Sequence, residues 1–521
     1  MNNNDLKIDP RIFIPCITVI FATISYMIVF EQSARELIGV LFTYITNQLG
    51  FVYLWAGAAA FGFVLWLCFG RYSTVRFGGA DARPEFSRIS WIGMFFCSGV
   101  GTSIMYWGSI EWSYYFVSPP FGLESKSDIA ADYAAMYGIY HSGPIAWALL
   151  TITAFPIGYC LYNRKSGSLR LSSACEGLIG KKAAEGVAGK VIDILMVIGL
   201  VAGTGTSLAS GTPMLAEAIS TLLDVENDFS VNVSVVIIWT VIFMTSVYLG
   251  LEKGIKKLSD VNIVLLALLG LIVFFGGATY FVINTFTNSL GLMFKEFVRM
   301  TFYTDSVSNS QFPQAWTVFY WAWWVAYAPF VGMFIARISK GRTFRDVAST
   351  VVISGSSGCA LFYAILGNNL LFSELNDLYP VLESISDNPS SAILGVLTQL
   401  PLSFIILPLF IVVGFIYSGT TVDSSAYILA SITSKKDKDI QNPSRKNRVF
   451  WAALLGCSAL ALMNFGGLEP LKTASLVVGV PLILIMTMSV FSLMKWLKED
   501  YKYCGSTKTL ADIDGLTKVA S

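Results

Sequence analysis

The amino-acid sequence predicts an all-α polytopic membrane protein with twelve transmembrane helices. The chain is 55% hydrophobic and only 13% charged over its 521 residues, and its mean hydropathy is +0.63. A water-soluble domain of this length would not tolerate such a composition. The apolar residues are gathered into long segments, and lysine and arginine are concentrated in every second connection between them. Together these observations indicate a chain that crosses a lipid bilayer many times.

The apolar segments follow one another along the chain. The first, from Ile12, is too long for a removed signal peptide and lacks a small-residue cleavage site, so it is counted as a spanning helix. Several segments exceed the roughly 20 residues needed to span, which predicts tilted or broken helices. The twelve segments are centred near Ile20, Ala60, Ile104, Leu149, Ala202, Trp239, Gly270, Trp324, Ala360, Phe410, Leu460 and Leu484.

The charge distribution predicts the orientation of these helices. The connection at 372–399 contains four acidic residues and no lysine or arginine. By the positive-inside rule, the cation-rich connections face the cytoplasm. We therefore predict a multi-pass protein of the inner or plasma membrane with both termini in the cytoplasm. The cation-rich connections lie at 71–88, 164–182, 253–257, 337–345 and 435–448.

Several functional classes are poorly supported by the sequence. The eight cysteines are scattered, mostly inside apolar segments, and form no CxxC pair, which argues against a disulfide framework or a metal site. The one histidine, His141, is accompanied by no GxSxG, HExxH or GxxxxGK motif, so an enzyme is a weak hypothesis. A net charge of +1 without a basic tail gives no reason to expect nucleic-acid binding.

The eighth apolar segment is uncharged over Trp316 to Phe334 and unusually rich in aromatic side chains. Tryptophan usually collects at the two membrane interfaces, whereas this cluster continues well into its segment. Two interpretations stay open at this point: a packing face between helices, or a lining for a ligand that is attracted to aromatic faces. On a helical wheel, one stripe about 60° wide contains Trp316, Tyr320, Trp323 and Tyr327, with Trp324 at its edge.

Glycine and proline predict interruptions in two helices. The third segment has Gly99 and Gly101 inside a helical run, and the eighth has Pro329 and Gly332 a comparable distance along. Unwound backbone can hold ions where protein hides it from lipid, although small residues also allow close packing. The matching interruptions predict an inverted five-helix repeat, segments 3–7 and 8–12, after two extra N-terminal helices. The predicted boundaries are 1–90 for the cytoplasmic N-terminus and first two helices, 91–287 for the first repeat, 288–312 for an amphipathic connection, 313–498 for the second repeat and 499–521 for a cytoplasmic tail.

The tenth segment ends in a polar patch that includes Thr420 and Thr421. Hydroxyl and carbonyl oxygens are the hard ligands that a small cation prefers, so the patch is a candidate ion site. Threonine can also satisfy its hydroxyl on the carbonyl one turn back in its own helix. From this segment alone, an ion site and a structural role both stay open.

The residues described so far resemble the betaine/carnitine/choline transporter family. The stretch FPQAWTVFYWAWWVAYAPFVGMFIARISKGRT, from Phe312 to Thr343, resembles the signature of that family, and the likeness extends from the second segment to the last. SPPFGLE and FVRMTFYTD look most like its carnitine-transporting branch. The resemblance implies a twelve-helix protein with the inverted repeat, two extra N-terminal helices and a homotrimeric assembly in a lipid membrane.

The resemblance also implies a substrate site. Members carry zwitterions with a quaternary ammonium group, a poorly hydrated cation that is suited to aromatic faces. The aromatic box of the carnitine branch corresponds here to Trp323, Tyr327 and Tyr114, with Trp324 adjacent. Its fourth wall, a tryptophan in HWG, is Ser142 in this chain, which predicts a wider or more polar site. An outer site pairs Trp316 with a methionine that is Val331 here.

Ion coupling is implied in the same way. The sodium-independent exchangers of the family place an arginine cation in the seventh segment, where this chain has Asn262. A neutral amide cannot replace a cation, so we expect sodium to be the coupling ion, with no other cofactor. The glycine-rich third segment and the hydroxyl pair of the tenth also resemble the sodium-coupled members. The expected sodium ligands are the side chains of Thr420 and Thr421 and the carbonyls of Cys97, Val100 and Tyr417.

Sodium-coupled uptake of carnitine, glycine betaine or a related betaine is therefore the function that the resemblance favours. The nearest alternative is a sodium-independent exchange of carnitine for γ-butyrobetaine, which Asn262 opposes. A proton-coupled choline carrier is the next alternative. An ion channel would need a polar ring around a pore, and an enzyme would need an acid–base group that the sequence does not offer.

Overall fold

The computed structural model describes residues 7–166, 168–249, 255–435, 443–465 and 469–501. Within these ranges the regular structure is helical, and the two β-bridges are isolated pairs, Ile8 with Ser434 and Arg76 with Thr343. The all-α class predicted from the sequence is confirmed. The predicted tail beyond Tyr501, the N-terminal residues 1–6 and part of the cation-rich connection at 253–257 lie outside the described residues.

Fourteen helices lie in the described N-terminal part of the chain, and the last of them ends at Thr301, inside the predicted connection. They are α1 (Pro10–Val29), α2 (Glu31–Phe69), α3 (Arg88–Val100), α4 (Ser103–Val117), α5 (Asp128–His141), α6 (Pro144–Ile152), α7 (Ala154–Gly158), α8 (Leu171–Ala174), α9 (Glu176–Ile179), α10 (Lys181–Glu185), α11 (Val187–Leu223), α12 (Phe229–Leu249), α13 (Ile255–Gly276) and α14 (Thr279–Thr301). A π-helical turn, Tyr159–Asn163, extends α7.

The helices of the C-terminal part begin after that connection. They are α15 (Phe319–Ile338), α16 (Phe344–Phe362), α17 (Asn368–Leu375), α18 (Val381–Asp387), α19 (Pro389–Gln399), α20 (Ser403–Ile432), α21 (Arg445–Phe465) and α22 (Glu469–Asp500). A π-helical turn, Gln314–Val318, precedes α15, and a second, Tyr363–Gly367, joins α16 to α17. Together with the N-terminal part, these helices include all twelve of the predicted segment centres.

The described residues contain fewer candidate membrane-spanning helices than the twelve that the sequence predicts. Among the described residues, nine helices are long and apolar enough to cross a membrane, and α3 with α4 makes a tenth if the bent pair is one span. Helix α12 has a shorter apolar stretch, Phe229–Thr245. The multi-pass architecture is confirmed, whereas the count of twelve and the inverted repeat stay predictions.

Helix α15, which carries the aromatic stripe, lies at the centre of the bundle. Nineteen of its twenty residues are buried, and the exception is Arg337 in the last turn. It packs against α6, α7, α11 and α22. A helix that is apolar on every side and enclosed in this way is a core helix, and it positions the aromatic side chains inside the protein.

The predicted interruption of the eighth segment at Pro329 is wrong, because α15 continues through this residue from Phe319 to Ile338. Helix α15 tolerates this proline inside the bundle, although its missing N–H removes one hydrogen bond of the helix. The hydroxyl of Thr153 donates to the carbonyl of Ala328 at 2.9 Å. Gly332 leaves space for the same threonine, since a Cβ atom here would collide with it. The irregular backbone lies instead before α15, in the π-helical turn.

Two other helices are interrupted beside the centre of the bundle. Helices α3 and α4 meet at an angle of 59°, and Gly101 between them has φ +62°. Positive φ is a conformation that glycine adopts without strain. The fourth segment also breaks, between α5 and α6, at Ser142 and Gly143. The first break agrees with the glycine pattern, and the second was not predicted.

Three of the cation-rich connections, at 71–88, 164–182 and 337–345, come together on one face of the molecule. Arg76 donates to the carbonyl of Gly341 at 2.5 Å, and the hydroxyl of Tyr162 donates to the carbonyl of Arg337 at 2.9 Å. The same face includes both ends of the described chain: Asp9 forms an ion pair with Arg170 at 3.2 Å, and Asp500 with Arg164 at 2.9 Å. The described parts of these three connections therefore share one side, in agreement with the charge pattern.

Helix α14 is amphipathic and overlaps the connection predicted at 288–312. Its first residue is Thr279, so it begins before that boundary. Its buried side chains recur at helical spacing on one face, whereas Phe294 and Val298 are exposed. Such a helix is suited to lie along the surface of the bundle. The buried residues of this face are Val282, Ser289, Met293, Glu296 and Met300.

Candidate functional site

The inner aromatic group consists of Trp323, Trp324, Tyr320 and Phe319 on α15. The rings of Trp323 and Trp324 are stacked with centroids 5.3 Å apart and planes 3° apart. Tyr320 lies 6.0 Å from Trp323 and 6.2 Å from Trp324, and Phe319 stacks on Trp323 at 5.6 Å. All four side chains are buried. They form a continuous aromatic surface inside the protein.

The outer aromatic group is built around Trp316, in the π-helical turn before α15. Tyr114 and Tyr115 of α4 each lie with ring centroids 5.1 Å from Trp316, and Trp107 lies 6.1 Å from it. The structure thus places Tyr114 beside the predicted outer residue Trp316. The two groups meet where the ring of Trp107 lies 6.4 Å from Tyr320.

Tyr327 occupies a third position, one turn further along α15. Its ring packs on α11, where a Cβ atom at Gly203 would lie 2.6 Å from Cδ2 of the tyrosine. Its hydroxyl faces Thr204 and Ser425, whose own oxygens are 3.2 Å apart. Tyr327 also contacts Phe330, with ring centroids 5.2 Å apart. The predicted residues Trp323, Trp324 and Tyr327 therefore follow one another along α15. Tyr114 lies instead beside Trp316, and Ser142 lies between α5 and α6.

A buried hydrogen-bond network centred on Glu111 adjoins the inner aromatic group. Glu111 is fully buried on α4, and its carboxyl group accepts hydrogen bonds from the hydroxyls of Tyr115 and Tyr320. The hydroxyl of Tyr363 donates to the same carboxyl group at 2.5 Å. Because these tyrosines belong to α4, α15 and the turn after α16, one side chain connects three parts of the bundle.

His141 and Ser142 join this network at the break between α5 and α6. His141 Nδ1 lies 2.8 Å from the hydroxyl of Tyr115 and 3.4 Å from Glu111. The His141 ring stacks on Tyr320 with centroids 4.7 Å apart, and its carbonyl accepts from Trp324 Nε1 at 2.9 Å. Ser142 Oγ donates to the hydroxyl of Tyr363 at 3.2 Å. The wall at Ser142 is thus polar and connected to Glu111 through Tyr363.

Three of the five predicted sodium ligands, Cys97, Val100 and Thr421, lie at the break between α3 and α4, where α20 passes. Thr421 Oγ1 donates to the carbonyl of Cys97 at 3.3 Å, and a Cβ atom at Gly101 would lie 2.9 Å from that hydroxyl. Thr420 Oγ1 donates to the carbonyl of Tyr417 in its own helix at 3.0 Å. The carbonyl of Val100 accepts from Ser103 Oγ at 2.8 Å. The structure brings Cys97, Val100 and Thr421 together at this break.

Asn262 lies next to the same break. It is fully buried on α13, and its Nδ2 donates to the sulfur atom of Cys97 at 3.6 Å. Its Oδ1 has no hydrogen-bond partner among the described residues. The uncharged amide of Asn262 therefore contacts the side chain of Cys97, whose carbonyl is one of the predicted ligands.

Two further hydroxyl residues at the break, Ser207 and Ser418, were missed by the sequence analysis. Ser207 of α11 donates to Ser103 Oγ at 3.2 Å, and a Cβ atom at Gly101 would lie 3.0 Å from Ser207 Oγ. Thr102 Oγ1 lies 2.5 Å from Ser418 Oγ. The run GTGTSLASG at 203–211 could have indicated Ser207, because so many small and hydroxyl residues in one apolar helix are unusual.

The arrangement defines a class of protein. Apolar helices enclose an aromatic surface, a buried polar network and an interrupted helix whose carbonyls lie among hydroxyl groups. Irregular backbone inside such a bundle, sheltered from lipid, is the construction that membrane transporters use to bind ions and polar substrates. The chain is a membrane transporter and not an enzyme.

The family follows from a comparison of the whole chain. The model of the betaine/carnitine/choline family transporters matches residues 11–502. The chain belongs to this family, as the signature around α15 indicated.

The fold is also similar to that of a Na⁺-coupled sialic acid symporter, solved in a substrate-bound, outward-open state. The two structures align with a TM-score of 0.50 at 13% sequence identity, over 85% of this chain and 86% of the symporter chain. At this identity the likeness shows a shared fold. It agrees with the polytopic helical architecture described above.

Proposed function

We propose that the protein takes up a quaternary-ammonium zwitterion, such as glycine betaine, carnitine or γ-butyrobetaine, by symport with sodium. The observation that carries this proposal is the buried aromatic surface of α15. Trp323 and Trp324 present parallel indole rings, with Tyr320 and Phe319 against them. Cation–π attraction suits a quaternary ammonium group, because its methyl groups cannot donate the hydrogen bonds that other cations require.

The polar side of the inner group supports a zwitterion over a simple cation. Ser142 and Tyr363 are hydroxyl groups within 3.2 Å of one another at the edge of the inner aromatic group. Either hydroxyl can donate to the carboxylate of a substrate whose ammonium group lies on the indole rings. Tyr363 donates to Glu111 at 2.5 Å and Ser142 donates to Tyr363 at the longer distance of 3.2 Å, so Ser142 is the hydroxyl that can more easily turn to a substrate carboxylate. We propose Trp323, Trp324, Tyr327 and Ser142 as substrate-binding residues, with Tyr114 and Trp316 in the outer group.

The substrate class is tested with a matched pair of inhibitors. Glycine betaine and tert-butylacetate, the carboxylate 3,3-dimethylbutyrate, have the same shape. The second compound has a carbon atom in place of the ammonium nitrogen and therefore has no positive charge. We expect unlabelled betaines to inhibit uptake of labelled glycine betaine into proteoliposomes. Tert-butylacetate should inhibit at least about tenfold more weakly, because a desolvated cation–π contact contributes about 2 kcal/mol. Equal inhibition by the two compounds would show that the aromatic surface does not recognise charge.

The coupling ion is proposed from the oxygens at the α3–α4 break. The carbonyls of Cys97 and Val100 and the hydroxyl of Thr421 approach one another there. With the hydroxyl of Thr420 and the carbonyl of Tyr417 as further proposed ligands, the site would consist of uncharged hard oxygens, which suit a small monovalent cation. Asn262 supports this proposal because it supplies no positive charge beside Cys97.

Sodium bound at this break would stabilise the approach of α3 to α20 and thereby the position of the aromatic helix. A Cβ atom at Gly99 would lie 3.7 Å from Val331 of α15, so the interrupted segment and the aromatic helix are in contact. If sodium and the substrate favour the same arrangement of this contact, each increases the affinity of the protein for the other. Thermodynamic linkage makes the factor equal in the two directions. An inward sodium gradient and a membrane potential of about 100 mV, which contributes about 2.3 kcal/mol per net charge, then drive uptake.

A proton-coupled carrier is the second candidate, and the buried pair of Glu111 and His141 is the observation that favours it. Intramembrane carboxyl groups next to histidine are typical of proton pathways. Sodium-independent exchange remains the other alternative and is opposed by Asn262.

We also propose that the cation-rich face of the bundle is cytoplasmic, that the membrane is the cell membrane, and that the chain assembles as a homotrimer.

A further inference from the structure

Lys472 places a positive charge on the outer aromatic group. It lies near the start of α22 and is only 7% exposed. Its Nζ atom lies 3.9 Å from the centroid of the Trp316 ring and 4.9 Å from that of Phe319. The same atom donates to the carbonyl of Ala315 at 2.9 Å. The ammonium group is thus held on two aromatic rings at the start of α15.

This contact is chemically the one proposed for the substrate. A lysine ammonium on aromatic faces and a quaternary ammonium on aromatic faces are attracted by the same ring quadrupoles. The indole of Trp316 is also packed by Tyr114 and Tyr115, each with its ring centroid 5.1 Å away. A substrate ammonium that reached Trp316 would therefore meet a position where a cation is already bound.

We propose that Lys472 is a specificity-determining residue that competes with the substrate cation for the aromatic faces of Trp316 and Phe319. The inference rests on the proposed substrate class. Binding of a substrate ammonium at Trp316 requires the lysine to leave, which its flexible four-carbon side chain allows.

Displacement of the Lys472 ammonium group from the rings favours poorly hydrated cations. A primary ammonium is strongly hydrated, so Lys472 regains favourable hydration when it returns to water. A quaternary ammonium loses little hydration when it takes the lysine's place on the rings. A small, strongly hydrated cation loses as much hydration as the lysine recovers and gains no advantage. Lys472 therefore raises the discrimination against such cations at the cost of weaker binding of the substrate.

A different role for Lys472 predicts the opposite result, which makes the inference testable. If the lysine received the carboxylate of the substrate, removal of its charge would weaken the binding of zwitterions only. If it competes with the ammonium group, the same change strengthens the binding of zwitterions and of simple quaternary cations alike. Glycine betaine and tetramethylammonium distinguish the two roles because only the first has a carboxylate.

The experiment is isothermal titration calorimetry of the purified full-length protein with each of these two ligands. Lys472→Met keeps most of the side-chain length, and Lys472→Gln also keeps a donor for the carbonyl of Ala315. In both variants, we expect the binding that depends on Trp316 to be about tenfold tighter for both ligands, within the range of a desolvated cation–π contact. Lys472→Arg keeps the cation and should bind no more tightly than the wild type. The gain should disappear when Trp316→Ala is combined with Lys472→Met.

The contrary results are distinct. Weaker binding of glycine betaine by Lys472→Met, with tetramethylammonium unaffected, would assign the lysine to the carboxylate and overturn the inference. Unchanged affinity for both ligands in both neutral variants would also overturn it. A wild-type protein that binds neither ligand would contradict the proposed substrate class itself, and the inference would fail with it.

Discussion

Replacing Glu111 by glutamine should destabilise the protein more than any other change of a single polar group described above. The carboxyl group accepts from three tyrosine hydroxyls and lies 3.4 Å from His141. An amide offers one acceptor oxygen and no charge, so buried hydroxyls lose their partner. Removing one member of a buried charged network costs about 3–5 kcal/mol. We expect thermal unfolding of Glu111→Gln in detergent to begin on the order of 5 °C lower.

The control for this variant is Glu31→Gln. Glu31 is 60% exposed and pairs with Arg35 within one helix, a kind of contact that contributes little to stability. Its unfolding temperature should stay at the wild-type value. If Glu111→Gln unfolded like the wild type but changed the pH dependence of uptake, Glu111 would be a proton site rather than a structural centre, and the proton-coupled alternative would gain support.

Replacing Gly101 by alanine should abolish uptake at low sodium concentration. The residue has φ +62°, which a side chain tolerates poorly. Its new Cβ atom would also lie 2.9 Å from Thr421 Oγ1 and 3.0 Å from Ser207 Oγ. Both effects push the break away from α20 and α11, and a strain of about 1–3 kcal/mol corresponds to a loss of about 5- to 150-fold in ion affinity. The sodium dependence of initial uptake rates measures this loss.

Gly108→Ala is the matched control because it lies in the same interrupted segment. A Cβ atom there would make ordinary contacts, the nearest at 3.5 Å from Phe362. Its uptake should resemble that of the wild type. If Gly101→Ala kept the wild-type sodium dependence, the geometry of this break would not control ion binding.

The sequence was most informative where one physical constraint dominates a segment. Long apolar segments form helices in lipid because no other partner exists for their backbone, and all twelve predicted centres lie in helices. The aromatic stripe could be recognised in the sequence because α15 is a regular helix, so residues three or four positions apart lie on the same face. Gly101 was visible because only glycine adopts its backbone conformation without strain.

The contacts between distant segments could not be read from the sequence. Glu111 is an isolated acid in its own segment, and only the fold brings Tyr320 and Tyr363 to it. Pro329 resembles a helix breaker, yet α15 continues through it from Phe319 to Ile338 inside the packed bundle. Lys472 is an ordinary lysine in the sequence and contacts Trp316 only through the packing of α22 on α15. Each of these contacts joins residues that are far apart in the sequence, and no periodic pattern in the sequence indicates such a pair.

The most direct measurement is uptake of labelled glycine betaine into proteoliposomes, with an inward gradient of sodium or of potassium and with an empty or substrate-loaded lumen. The wild type is compared with Thr421→Val and with Thr151→Val, a buried threonine whose hydroxyl donates to its own helix. Sodium-dependent accumulation in empty vesicles, lost in Thr421→Val and kept in Thr151→Val, is the predicted result. Uptake that ignores sodium and requires substrate in the lumen would contradict symport and establish exchange.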